Sequence, residues 1–578
     1  MDPSSPRSSS SSTLQRGKAC LNCRRRKMKC DGVRPVCGPC SRSNRSDDCE
    51  YTDGQGRTRT QILEENIAQL EARIHELENP ESASASVTLH DPHSAYFQSQ
   101  HGSPSSGASS PAVGELQQYL PYTALWQSAD WAPSAGIGGP SLHSSGSDAW
   151  WEAGDPPLHI VQELLDVFFR HSSQLSWFLH IIRFRHTALL PRGNANRPLP
   201  ALLYIVFLWG IAFSHSDELT AHEPALLART LSLTGHSVVG TPSHQIMQAI
   251  QAKILLANYL FRNGRFFEGR HQSDSAAALA VSCGLHKIRS AQQVPAFPRF
   301  IDPVELGLPE PRDQIEEGER INGFWAIFCM DRCWAVAFGA PTVISDIEAF
   351  GMQIDTPWPL EMETYERGQI YPNLRTSGTL RNFLSGINTG WPWENHGTLT
   401  QMSKASALFE RATRLASSWR PGIPNMSTFY ADFVSVDQRI EDFKSQLFPL
   451  ENMDHMSQDV VRLMHLTFCL AHASTIQLHA AFAQQNTASR SKCLAAGTAI
   501  VRANAAVRVH EFTDVSSIVG TVWAAVGRVI INEIATLRSF HAESTPSQPQ
   551  RETELRAALD QLQATMAVFA PNCALISP

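Results

Sequence analysis

The sequence predicts a mostly α chain in four parts: a small cysteine module, a short parallel coiled coil, a disordered linker and a large all-α domain. Three observations predict it. Six of the twelve cysteines fall between Cys20 and Cys49. Apolar residues then recur at heptad spacing from Leu63 to Leu77. Beyond a Ser/Gly/Pro-rich stretch, residues 149–578 repeat apolar side chains at helical spacing and give few strand signals.

The chain of 578 residues is long enough for more than one folded unit. At 42% apolar and 18% charged residues it is not disordered throughout. The net charge of −7 argues, taken whole, against a nucleic-acid binder, but it is an average. Residues 1–60 carry +7 and residues 61–578 carry −14. Residues 1–19 hold no apolar run, so no secretory signal is read and reduced thiols are expected. The apolar stretch Ala201–Phe213 is too short for a bilayer, which takes roughly 20 residues. It reads as a buried core helix, and no membrane partner is expected.

Residues 1–15 are Ser-rich and expected to be disordered, and 16–50 hold the cysteine module. Its spacing is Cys20-x2-Cys23-x6-Cys30-x6-Cys37-x2-Cys40-x8-Cys49. Two C-x2-C pairs, each followed by another cysteine, are the arrangement expected when thiolates wrap zinc. Six cysteines complete one tetrahedral ion with two left over, or two ions if two sulfurs bridge. The near-repeat of the two halves favours two Zn²⁺. A module of this size cannot fold on its own core, so the metal must supply folding energy. A disulfide framework is the competing reading and needs an oxidising compartment.

The basic run Arg24, Arg25, Arg26, Lys27 and Lys29 sits between the second and third ligands. Residues 16–49 carry ten Lys or Arg against three Asp. A compact module with one dense basic edge suits double-stranded DNA, whose phosphates drive binding by counterion release. Arg and Lys also read guanine O6 and N7 in the major groove. The alternative is a zinc-stabilised protein-interaction module, which has no need of the basic run.

The connector spans 51–60, and the coil 61–79. Ile67 and Ile74 take position a, and Leu63, Leu70 and Leu77 take d. β-Branched a with Leu at d favours a parallel dimer. Arg73 at g can reach Glu78 at e of a partner, so a homodimer is expected. The coil is short and marginal alone, and two modules imply two half-sites.

The linker, 80–148, has 16 Ser, 7 Gly and 7 Pro and no Lys or Arg. Its aromatic islands, Tyr96-Phe97 and Tyr119 through Trp131, could meet coregulators, though a plain spacer is favoured. In 149–578, Ile160, Leu164, Leu165 and Phe168 keep helical spacing, as do Ile321, Phe324, Trp325 and Phe328, with a stop expected near Gly339. Further helices are expected at Met247–Leu260, Asp274–Leu285, Val460–Gln484, Ile518–Phe540 and Glu552–Phe569. Cys283, Cys329, Cys333, Cys469, Cys493 and Cys573 read as core filler. No G-x-S-x-G, phosphate-loop or H-E-x-x-H motif is present, so no enzyme is expected.

The cysteine spacing, the run CRRRKMKCD and Pro35 resemble the fungal binuclear zinc cluster transcription factors. The resemblance implies that Cys20 and Cys37 bridge two zinc ions. One ion would take Cys20, Cys23, Cys30 and Cys37, the other Cys20, Cys37, Cys40 and Cys49. It further implies Lys27 as a base contact to a CGG-type triplet, Arg26 beside it, and Arg24, Lys29 and Lys18 on phosphates. Residues Gly264–Ile288 and Glu317–Asp346, with Trp325, Asp331, Arg332, Gly339 and Pro341, resemble the middle regulatory domain of the same family, over roughly 155–420. Asp331 and Arg332 read as a structural pair. A nuclear regulator is the implied function, with an effector-sensing role possible for the helical domain.

Overall fold

The computed structural model describes residues 19–46, 48, 49, 51, 68, 156–214, 216–235, 242–292, 308–348, 351–388, 397–453, 455–539 and 548–576. The heptad positions Leu63, Ile67, Leu70, Ile74 and Leu77 lie outside the described residues, as do Lys18, the 1–15 tail and the 80–148 linker. The chain divides into two units, 1–138 and 139–578.

In the first unit two short helices, α1 (Leu21–Arg25) and α2 (Gly38–Arg42), flank a core made of cysteines. The second unit is all-α among its described residues. Its longer helices are α3 (Leu158–Phe169), α4 (Pro200–Ser214), α5 (Glu223–Gly235), α6 (Ile246–Arg262), α7 (Phe266–Ser282) and α8 (Gln314–Phe338). They continue with α9 (Thr398–Ser418), α10 (Met426–Gln446), α11 (Gln458–His479), α12 (Thr487–Ala506), α13 (Ile518–Ser539) and α14 (Gln548–Phe569). No strand is present among the described residues, only an isolated bridge between Ser290 and Thr376.

Neighbours in sequence pack on one another, α3 on α4, α6 on α7 and α13 on α14. The α8–α9 and α9–α11 contacts join the two ends of the unit around one apolar core. Helix α4 is the apolar stretch read from sequence, and it is buried on nearly every side, as an all-apolar helix must be. Its Gly210 is dictated by a close crossing: a Cβ there would lie 2.8 Å from the Leu164 carbonyl oxygen of α3. Helix α13 is long and apolar enough to cross a membrane by length and composition. Here Val522, Trp523, Val526 and Ile530 are buried, and α13 packs on α11, α12 and α14 as a core helix.

The helix that begins at Gln314 ends where the sequence placed its stop. Gly339 adopts φ 60°, and the Ala340 and Gly339 N–H groups donate to the Ala335 and Val336 carbonyls. This is the left-handed cap that glycine permits at no steric cost. Asp331 and Arg332 are structural, but through a shared partner rather than each other. Asp331 accepts from the Val343 and Ile344 N–H groups, at 2.9 and 3.1 Å. Arg332 donates to Thr342 Oγ1 and the Ile344 carbonyl, at 2.8 and 2.9 Å. The two side chains thus clamp the chain that follows the cap. Cys329 and Cys333 are buried against Ser403 and Ser406 as core residues, whereas Cys283 is only half-buried.

Polar groups inside the unit are met in networks. His479 bonds Ser489 Oγ through Nδ1 and Asp437 Oδ1 through Nε2, each at 3.0 Å, and Lys492 also donates to Asp437. Burial pushes the Asp437 carboxyl up, but the bonds from His479 and Lys492 outweigh it and hold it at about 2, below its ordinary 3.8. The folded value is the depressed one, so this stabilisation is present above pH ~4 and is lost as pH falls from there through about 2, an effect of about 2 kcal/mol. Asp437→Asn is expected to flatten the stability of the helical signal across that window. Urea unfolding midpoints followed by circular dichroism between pH 2 and 5 check this, and an unchanged acid limb in the variant contradicts it.

Candidate metal centre and nucleic-acid interface

The two halves of the cysteine module are one local structure used twice. Cys20 is the N-cap of α1 and Cys37 the N-cap of α2, and Cys23 and Cys40 are the third residue of each helix. The Arg24 N–H donates to the Cys20 carbonyl and Ser41 N–H to that of Cys37, at 2.9 and 3.0 Å. Met28 N–H donates to the Cys23 carbonyl and Arg45 N–H to that of Cys40, at 2.9 and 3.0 Å. Both turns close through a left-handed residue, Lys27 at φ 54° and Asn44 at φ 53°. Each pair is offset by 17 residues. Short helices of this kind cannot persist alone, so the thiols they present must be tied to something.

The geometry shows to what. Two groups of four thiols, Cys20, Cys23, Cys30, Cys37 and Cys20, Cys37, Cys40, Cys49, each have their sulfurs within 4.8 Å of one another and share Cys20 and Cys37. Tetrahedral zinc with Zn–S near 2.3 Å requires sulfurs about 3.8 Å apart. Cys20 and Cys37 are 3.7 Å apart, and Cys23 and Cys37 3.6 Å. The donor set therefore fits two divalent ions of thiophilic character. These are the only such groups of Cys, His, Asp and Glu among the described residues.

Electrostatics point the same way. Burial pushes the Cys20 and Cys37 thiols well up, so crowded sulfurs resist ionising together without a cation among them. At Cys30 burial also pushes upward but is outweighed by the Cys20 and Gly32 backbone and the Tyr51 hydroxyl, and the thiol falls to about 7.

Around the sulfurs lies a set of donors that the spacing did not reveal. Asn22 Nδ2 donates to Cys40 Sγ at 3.4 Å, the Cys37 N–H to Cys49 Sγ at 3.2 Å and the Gly32 N–H to Cys30 Sγ at 3.4 Å. Such outer contacts orient metal ligands and tune their charge. Tyr51 donates to the Val33 carbonyl at 3.0 Å, lies 3.7 Å from Cys30 Sγ, and takes Arg34 over its ring. An aromatic two residues beyond the last cysteine was the available signal for it. Asp31 is not drawn into either sulfur group. Its carboxylate accepts from Gly38 N–H at 2.9 Å and from Val33 N–H at 3.2 Å, tying the loop to the start of α2.

Arg24, Arg25, Arg26, Lys27 and Lys29 are all exposed, at the end of α1 and in the turn after it. Between them Met28 is also exposed. The module thus places its sulfurs inside and these cationic side chains outside, on the six residues between Cys23 and Cys30.

Gly38 has no room for a side chain, since a Cβ would lie 2.4 Å from Asp31 Oδ2. Gly38→Ala is expected to displace Asp31, loosen the Cys37 cap and speed zinc loss about tenfold. Metal release to a chromogenic chelator from the full chain measures this, and wild-type release kinetics in the variant contradict it.

Comparison with known proteins closes the case for the module. Residues 18–58 match the fungal Zn(2)-Cys(6) binuclear cluster domain, and residues 165–411 match the fungal specific transcription factor domain. The C6 finger domain transcription factor hasF of Aspergillus fumigatus is 49% identical over 57 residues, 9% of this chain and 7% of its own length. The citrinin biosynthesis transcriptional activators mrl3 of Monascus ruber and ctnR of Monascus purpureus are each 26% identical over 365 residues. That is 60% of this chain, and 65% and 58% of theirs. The chain thus spans less than two thirds of the length of these relatives. No solved structure matches it. A cluster domain of this kind implies two zinc ions, in accord with the six gathered sulfurs. The chain carries, in this order, a fungal Zn(2)-Cys(6) binuclear cluster domain and a fungal specific transcription factor domain, the pair its sequence resembles.

Proposed function

We propose that the chain is a nuclear transcription regulator, not an enzyme, that binds DNA in a sequence-specific way through the zinc module. In this reading Cys20 and Cys37 bridge the two ions, and Cys23 with Cys30, and Cys40 with Cys49, complete them. Lys27 reads a CGG-like triplet with Arg26 beside it, Arg24, Lys29 and Lys18 meet phosphates, and Arg25 belongs to the same DNA-binding run. The heptad residues Leu63, Ile67, Leu70, Ile74 and Leu77 pair two chains on two half-sites. The helical unit responds to an effector. The names of the Monascus relatives, whose similarity covers 365 residues, support a regulatory role.

One observation carries the DNA reading. Of the two matched turns, one places Asn44 at its left-handed position and the other Lys27. Asn tolerates that conformation, whereas for a lysine it costs roughly 1–2 kcal/mol. Strain of this kind is held by the surrounding structure and gathers at functional sites; Arg289 and Arg508 share the conformation in the helical unit, but Lys27 stands in a run of exposed cations. A solvated basic face has no need of it.

The test follows from that conflict. Lys27→Gly is expected to keep both zinc ions and to stabilise the module, since glycine adopts the turn freely. The same change is expected to weaken discrimination of the preferred triplet by about tenfold or more, the scale of one lost base contact. Sequence selection with the full chain, metal content by mass spectrometry and chelator-driven unfolding read the three effects. Retained sequence preference in Lys27→Gly overturns the assignment of that residue. Binding insensitive to salt, or no selected sequence at all in the zinc-loaded protein, would favour the protein-interaction module instead.

A further inference from the structure

The helical unit contains a cavity of about 550 Å³, within the size range of small-molecule sites. Its wall is assembled from distant stretches of chain: the 173–182 segment, α8, the 360–366 turn, the start of α9, the start of α11 and residues 512–519. Trp177, Ala326, Met330, Trp334, Leu399 and Phe512 supply an apolar and aromatic lining. A packed interior ordinarily leaves few voids larger than a water molecule.

The charges around this space are unbalanced. Glu361, Glu363, Glu366, Asp459 and Asp514 line it with one guanidinium, Arg462, and a second, Arg262, lies 3.8 Å from Asp514, so the excess of negative charge sits on the 361–366 turn. Arg462 is already engaged. It lies 3.8 Å from Asp459, over the Phe512 ring, and donates to Gln458 and Thr513. Glu361, Glu363 and Glu366 are exposed together on one turn. Glu361 accepts from Thr398, and Glu366 faces His180 at 2.8 Å. The side chain of Arg462 is only 9% exposed, yet its Nε has no hydrogen-bond partner among the described residues, nor has Ser173 Oγ or Trp177 Nε1 on the same lining. Buried polar atoms are seldom left so.

We infer that this cavity binds a small, largely apolar amine that also carries a hydrogen-bond acceptor. The apolar body sits against the apolar and aromatic lining, the ammonium meets the carboxylates of the 361–366 turn, and the acceptor satisfies a lining donor. A carboxylate-bearing ligand of the same shape faces an excess of like charge and is rejected. The inference deepens the effector-responsive reading of the helical unit. It rests on that reading for its regulatory consequence and not for the binding itself.

Dansyl cadaverine and the dansyl aminohexanoate of equal chain length share one apolar body and the same sulfonamide acceptor but end in opposite charges. Titrated into the full chain, the amine is expected to quench tryptophan emission by energy transfer and to bind about tenfold or more tighter than the acid, a difference of about 1.4 kcal/mol or more. Glu363→Gln with Glu366→Gln, both at exposed positions, is expected to reduce that preference to less than about threefold without loss of helical signal. Ala326→Met is expected to weaken both probes by filling the space. If that variant does not fold, the carboxylate pair alone decides. Absence of binding by either probe, equal binding of the two, or an unchanged preference in the Glu→Gln pair overturns the inference. DNA affinity measured on the same samples keeps the readings apart, because failure of DNA recognition leaves probe binding untouched, and the reverse holds.

Discussion

Six sulfur atoms gathered in two groups of four that share two of them cannot all be thiolates unless divalent charge lies among them, and the small unit depends on that constraint. Its helices have only five residues each, too few to hold a turn in water. Its buried core is four cysteines, which as free thiols offer little apolar area. Metal binding in such a module is folding free energy. The constraint also explains the shape of the surface. With the sulfurs turned inward, the run between Cys23 and Cys30 has nowhere to place its five cations except outward. One choice of ligand spacing thus sets both the fold and the exposed basic edge.

The large unit solves the opposite problem. It has apolar area in abundance and must dispose of the polar groups buried with it. The Asp331–Arg332 clamp, the Asp437–His479–Lys492 network and the ring of bonds from Lys287, Ser290, Gln353 and Gly378 to Asp355 do so without strands. Each satisfies buried donors that an irregular stretch of chain would otherwise leave without partners, a cost of about 1–3 kcal/mol apiece. Trp325 does the same for Pro357, whose carbonyl accepts its indole N–H at 2.7 Å, while its ring stacks on Trp358.

These two kinds of stability were not equally legible from sequence. The cysteine spacing exposed the metal centre because ligand chemistry demands particular residue types at short intervals. Helical periodicity exposed most long helices, and Gly339 the end of one, because a left-handed cap needs glycine. Helix α7 was harder to read. Its alanines all follow the predicted start at Asp274, and the observed helix begins about two turns earlier, at Phe266. Asp331 and Arg332 were seen as structural, but not what they hold, because hydrogen bonds across ten or more residues leave no local pattern. The outer donors of the cluster were invisible for the same reason. An asparagine between two cysteines and a tyrosine beyond the last look ordinary until folding brings them to the sulfurs. The cavity is the extreme case, since its walls come from segments more than three hundred residues apart.

The repeated turn shows where physical chemistry and function part company. Two stretches offset by 17 residues place a cysteine at the cap, make the same carbonyl bonds and close through the same left-handed turn. Local energetics alone would give both the same kind of closing residue, and one has it, Asn44. The other has Lys27, set among exposed cations. The metal supplies enough stability to hold both turns, so the module can tolerate a residue that its own backbone disfavours. A structural explanation accounts for the turn and for Asn44 but not for the difference between the halves. A polyanion that also presents base edges has the chemistry to meet a lysine flanked by arginines, and this is the contact proposed for that half.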